Sequence, residues 1–230
     1  MTTTSNNVLA IRAALQNSAG AAESQLALIA NNAGDQQLAE IVAELNPAEI
    51  AVMVADADMT KPSITHNYIS PEQFSGAFSR LGSRWSELTI EVDYTPFQRD
   101  VEDFLCPMVL SSEDPERRKT MLGALLEHEH GIDALLFLML GHPEVEGLLK
   151  NPTGYPVARG TYQELIALTF EFYPEKFREL ARLGLEILGH STEEQQEFAY
   201  TVLSALHDEA IALQTEKNEG AAPEEEFLDI

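Results

Sequence analysis

Between Met121 and Leu140 the apolar residues Leu122, Leu125, Leu126, Ile132, Leu136 and Leu140 recur at three- and four-residue steps. At about 100° of rotation per residue this spacing collects them into one stripe, the signature of a helix with one buried face. Similar patterns run through "AESQLALIANN" and "QQLAEIVAELNPAEIAVMVADAD" near the N-terminus. The last long segment carries Phe198, Val202, Leu203, Leu206, Ala210 and Leu213 at the same steps. Thr, Val and Ile are sparse beside Leu, Ala and Glu, which favours helices over strands. An all-α bundle follows.

Punctuation divides the chain. Residues 5–60 read as three or four short helices, with Asn46-Pro47 breaking one and starting the next. "TKPSITHNYISPE" holds two prolines and several turn formers, so residues 60–72 read as a linker. Ser70 is the expected N-cap of the helix after it. Longer helices are expected at 71–82, 95–110, 114–141, 160–188 and 192–216. "GHPEVEGLLKNPTGYPVARG" reads as a loop-rich connector, and Ser191 or Thr192 caps the final helix, with Glu194 or Gln195 placed for a capping box. The expected organisation is therefore short N-terminal helices over 1–65, a helical bundle over 66–216 and an acidic flexible tail over 217–230. The "EEFLDI" end has the make-up of a docking peptide, and a solvating tail is the plainer reading.

Charge limits the partners. With 14 basic against 38 acidic residues, the formal charge is −24. Such a chain repels nucleic acid and anionic membranes, and the excess either keeps the protein soluble or faces a basic partner. Imitation of nucleic acid would need acids spaced like phosphates along one face, whereas here they are spread over many helices. Cys106 is the single cysteine, so there is no internal disulfide and no zinc pattern. The N-terminus lacks the make-up of a signal peptide, and no apolar run is long enough to span a membrane. A cytoplasmic protein is expected, with the oligomeric state open and a homodimer among the options.

The chemistry-bearing stretch is "LLEHEHGID". On a continuous helix Glu129 falls inside the apolar stripe, Glu127 falls opposite, and His128 and His130 fall on the flanks. A buried carboxylate is costly unless paired, protonated or bound to a cation. Glu129 is therefore either hydrogen-bonded to an Arg, Tyr or His, or a metal ligand. Glu127 and His130 form a Glu-x-x-His pair that by phase faces outward. Tyr200, Ser204 and His207 line one margin of the last helix. Glu164 and Glu171 lie at the edge of the stripe made by Leu165, Leu168 and Phe172.

"DPERRKTMLGALLEHEHG", "TYQELIALTFEFYP" and "YTVLSALHDEA" together resemble, in order and spacing, the heme-oxygenase-like fold. The nearest branch is the iron-containing redox enzymes with pyrroloquinoline-quinone synthase and thiaminase II, and the resemblance covers residues 72–215. It implies metal ligands at Glu129, Glu171 and His207. The family's His-x-x-x-Asp-x-x-His is matched here by Tyr200, Ser204 and His207, so only the final His survives. The family's other His has no counterpart in "IDALLFLML", His142 being the nearest. The carboxylate of the preceding helix falls on Asp100, Glu102 or Asp103.

Two expectations follow from the resemblance. The first is a small-molecule oxidase or oxygenase with one Fe(II) on Glu129, Glu171 and His207, or a metal-free pocket using Tyr200 and His207 as acid–base groups. Its small-molecule pocket would be lined by Phe137, Met139, Phe170 and Phe172. The second is a non-catalytic member of the same fold that binds a protein partner through its acidic surface or its C-terminal tail.

Overall fold

The computed structural model describes residues 3–55, 63–85, 88–89, 91 and 93–219. Among them every regular element is helical, so the chain is an all-α helical bundle. Four short helices come first: α1 Thr3–Leu15, α2 Ala19–Ala30, α3 Asp35–Ala43 and α4 Pro47–Ala55. Then come α5 Ile64–Tyr68, α6 Pro71–Phe78 and a 3₁₀ turn at Leu81–Arg84. α7 Thr95–Leu110, α8 Pro115–Glu127, α9 Gly131–Phe137 and α10 Val145–Lys150 follow. α11 Tyr162–Phe172, α12 Pro174–Leu188 and α13 Thr192–Glu219 complete the chain.

Local chemistry explains most boundaries. Pro47 opens α4, where Asn46 and Glu49 close a reciprocal cap at 3.0 and 2.8 Å and Arg12 pairs with Glu49 at 2.7 Å. Ser70 caps α6 with Gln73 as the returning partner. Ser191 and Glu194 do the same at the start of α13. Several expected elements differ. The 60–72 linker contains α5, because Ser63 caps it and the Glu23 carboxylate of α2 accepts from the Ile64 and Thr65 backbone N–H groups at 2.5 and 3.4 Å. Residues 60–62 lie outside the described residues, as do 220–230 of the expected tail, whereas α13 runs on to Glu219. The helix expected over 160–188 breaks at Tyr173, since Pro174 disfavours helical backbone before it and opens α12 instead. The connector contains α10, framed by Gly141 and Gly160, which both take positive φ.

One continuous apolar cluster runs from Val8 in α1 to Leu206 in α13. α1 packs on α2 and α3, α2 on α4, α4 on α6 and α6 on α8, which joins the short N-terminal helices to the longer ones. Buried side chains close helix ends across these seams. The Gln73 amide donates to the Val42 and Leu45 carbonyls at the end of α3, at 2.8 and 2.7 Å. The Gln98 amide does the same for Phe137 and Leu140 at the end of α9, at 2.8 and 3.0 Å. Arg117 serves His66 and Ile69 around α5, and Arg118 serves Leu110 and Ser112 after α7. Short helices leave a large share of their carbonyls without intrahelical partners, so each such bond removes a buried orphan. Trp85 is buried, edge-on to Phe97, with its indole N–H 3.3 Å from Asp100.

Candidate functional site

The helix expected over 114–141 is interrupted inside "HEHG". α8 ends at Glu127, and His128 takes an extended conformation at φ −66°, ψ 141°. Its N–H still bonds to the Leu125 carbonyl at 3.1 Å, and Gly131 N–H bonds back to the His128 carbonyl at 3.0 Å. Gly131 makes this turn feasible: a Cβ there would stand 1.7 Å from the Leu125 oxygen. The chain then restarts as α9, and the rotational phase carried forward from α8 is lost.

The break reverses the expected burial. Glu129 is exposed at the tip of the turn, and the two imidazoles face inward. The His128 side chain is 6% accessible and that of His130 is 17%. Both face Glu209 on α13, with His128 Nε2 3.5 Å from Oε1 and His130 Nε2 3.8 Å from Oε2. Ser79, just past α6, places its Oγ 2.7 Å from the same His128 nitrogen. Phe78 packs against the His128 ring in an edge-on contact.

The hydrogen bonds assign the proton. The His130 backbone N–H donates to His128 Nδ1 at 3.2 Å, so Nδ1 is the acceptor and neutral His128 carries its hydrogen on Nε2. That hydrogen points to Ser79 Oγ. His128 in this state therefore holds Ser79 as an acceptor and does not draw a proton from it, which excludes a Ser79 nucleophile activated by His128. Burial lowers the His128 pKa, partly offset by the Glu209 charge. Burial raises the Asp133 carboxyl, offset by His130. Among the described residues Glu209 Oε2 is buried without a hydrogen-bond partner. The cluster is thus one carboxylate facing two imidazoles.

The residues singled out by the resemblance lie apart. Glu171 is exposed in the last turn of α11, and Tyr200 and His207 are half-buried on α13. His207 Nδ1 lies 3.8 Å from Asp208, and its Cα would lie 2.6 Å from a Cβ at Gly82, so this part of α13 seats the 3₁₀ turn. Glu102 accepts from the Tyr162 backbone N–H at 3.0 Å, and the His142 ring lies tilted against Tyr162 beyond the end of α9. Among the described residues no three His, Cys, Asp or Glu side chains are grouped to hold a metal ion. Glu129, Glu171 and His207 are therefore not brought together in one such group. Phe137 and Met139 are fully buried core residues, and Phe170 packs edge-on against Phe177. Helical phase alone does not bring Ser79, His128, His130 and Glu209 together. The available signal was the glycine directly after His130, which costs about 1 kcal/mol inside a helix and so marks a break.

Two surface hollows adjoin this region. A wide, open groove between α6 and α8 is lined by Pro71, Glu72, Ser75, Ala124, Glu127 and His128. A deeper apolar cleft lies on the other side of the 3₁₀ turn. Among the described residues no helix is long and apolar enough to cross a membrane.

These features define an acidic, all-α helical bundle with a His–Glu cluster beneath an open groove. No family model, curated protein or solved structure matches the chain.

Proposed function

We propose that this chain is an acidic binding module on a heme-oxygenase-like helical bundle, and that it docks a basic segment of a protein partner. The observation that carries this reading is the α6–α8 groove, whose volume is about 430 Å³ and whose edges hold the exposed carboxylates Glu72 and Glu127. Its own backbone N–H and the Ser70 hydroxyl hold the Glu72 carboxyl below its usual range, so it stays ionised. An open groove in a chain of charge −24 suits an extended peptide rich in Lys or Arg, drawn in by long-range attraction. A cytoplasmic location accords with the single buried thiol, Cys106.

The test is titration of a Lys/Arg-rich peptide against the wild type and a Glu72→Gln/Glu127→Gln variant. Binding that weakens at least about tenfold in the variant and fades as salt rises supports the reading. Equal affinity for both proteins, or none for either, refutes it.

A second reading, metal-free acid–base chemistry on a small molecule, is favoured by His128 lining the same groove while facing Glu209. It expects His128→Gln to remove turnover and leave peptide affinity intact. Metal analysis of protein produced with iron separates both from an iron oxidase. Stoichiometric iron that disappears in Glu129→Ala would return the assignment to that class.

A further inference from the structure

The cleft between α4, α6, α7, the 3₁₀ turn and α13 has a volume of about 210 Å³. Small side chains open it: Ala48 and Ala51 on α4 and Ala77 on α6 stand where larger residues would fill the space. Phe104 forms one wall and is held by stacking on Phe74 and Phe78 at 6.0 and 6.1 Å, so the wall is rigid. The polar lining includes two cations, Arg80 and Arg84, one helical turn apart.

Arg80, like Arg117, is bonded to a backbone carbonyl rather than to a carboxylate. Elsewhere Arg12, Arg118, Lys150, Lys176, Arg178 and Arg182 each pair with a glutamate. Arg80 gives its Nη1 to the Gly76 carbonyl at 2.5 Å, which fixes the direction of the guanidinium. Among the described residues no carboxylate pairs with it, although acids outnumber bases by 38 to 14. An oriented guanidinium with donors to spare, set beside apolar walls, is complementary to a carboxylate that carries an apolar tail.

We infer that this cleft binds a small organic carboxylate with an apolar tail, the anionic head on Arg80 and the tail against Phe104 and the alanines. Size favours this class over a peptide. The cleft falls below the ~300 Å³ at which drug-sized pockets begin and above the ~150 Å³ of an apolar cavity that holds benzene. The site is distinct from the acidic groove, which suits the opposite charge.

Octanoate and benzoate are the probes, titrated calorimetrically into the full chain, with octan-1-ol and octylamine as matched controls. The expectation is a Kd on the order of 0.1–1 mM for octanoate. Octan-1-ol and octylamine bind at least about tenfold more weakly, since neither offers a carboxylate. Arg80→Gln weakens octanoate by about tenfold or more. Ala51→Phe, at a half-buried position facing the cleft, blocks binding without loss of helical signal, and Ala48→Leu serves if that variant misfolds. Octan-1-ol binding as tightly as octanoate, or octanoate binding unchanged in folded Arg80→Gln and Ala51→Phe, overturns the assignment. So does octanoate binding about tenfold tighter in a Phe227→Ser/Leu228→Ser variant, which would make the chain's own C-terminal segment the occupant.

Discussion

His66 gives a pH dependence of stability with a calculable size. It sits in α5, 4% exposed, and its Nε2 has no hydrogen-bond partner among the described residues. Burial pushes its pKa down to about 4 from 6.5, opposed by the Glu23 carboxylate that caps the same helix. Arg117 is bonded to the His66 carbonyl. Because the folded pKa is depressed, the unfolded chain binds the proton first. Stability is unaffected above pH 6.5 and is lost as pH falls from there towards 4. Between about pH 7.5 and about pH 4.5 the proton linkage of this one group amounts to ~2–3 kcal/mol. The whole protein also gains from reduced self-repulsion as its acids protonate, so the informative quantity is a difference. Urea unfolding at both pH values, for the wild type and His66→Leu, should show the wild type losing ~2–3 kcal/mol more than the variant, with equal m-values. Parallel losses in both proteins would refute the claim that His66 is buried neutral.

Other outcomes are equally direct. Gln73→Met removes the donor that closes α3 and the acceptor for Ser70 N–H, and should destabilise by ~2–4 kcal/mol in one cooperative transition. A loss below ~0.5 kcal/mol would show that water satisfies those carbonyls instead. Gly131→Ala forces its new carbon against the Leu125 oxygen, so a loss of ~3 kcal/mol or more is expected in thermal or urea unfolding, with displaced His128 and His130 resonances. Unchanged stability and shifts would mean that the turn is not held as described. Glu209→Gln removes the charge that offsets burial at His128, so an NMR titration should give His128 a lower pKa than in the wild type. A pKa that stays put or rises rejects the pairing across α13.

The sequence by itself determined the helical character, the acidity and most helix starts. Those follow from local causes: apolar spacing at 3.6 residues, Ser70, Ser191 and Asn46 at N-caps, and Pro47 and Pro115 at first turns. Helix starts are legible because their donors are satisfied within three or four residues. The break at His128–His130 decides the candidate site, and apolar spacing does not reveal it. Continuing one helical phase through Gly131 buried Glu129 and left both histidines at the flanks, whereas the turn exposes Glu129 and brings both histidines onto Glu209. That pairing spans about 80 residues of sequence, and no local pattern encodes it. The same holds for Gln73 under α3, Gln98 under α9 and Arg80 beside the cleft. Each is an ordinary polar residue in the sequence, and its role comes from the distant helix packed against it. A chain of short helices has many ends to satisfy, and packing decides which remote side chain reaches each one.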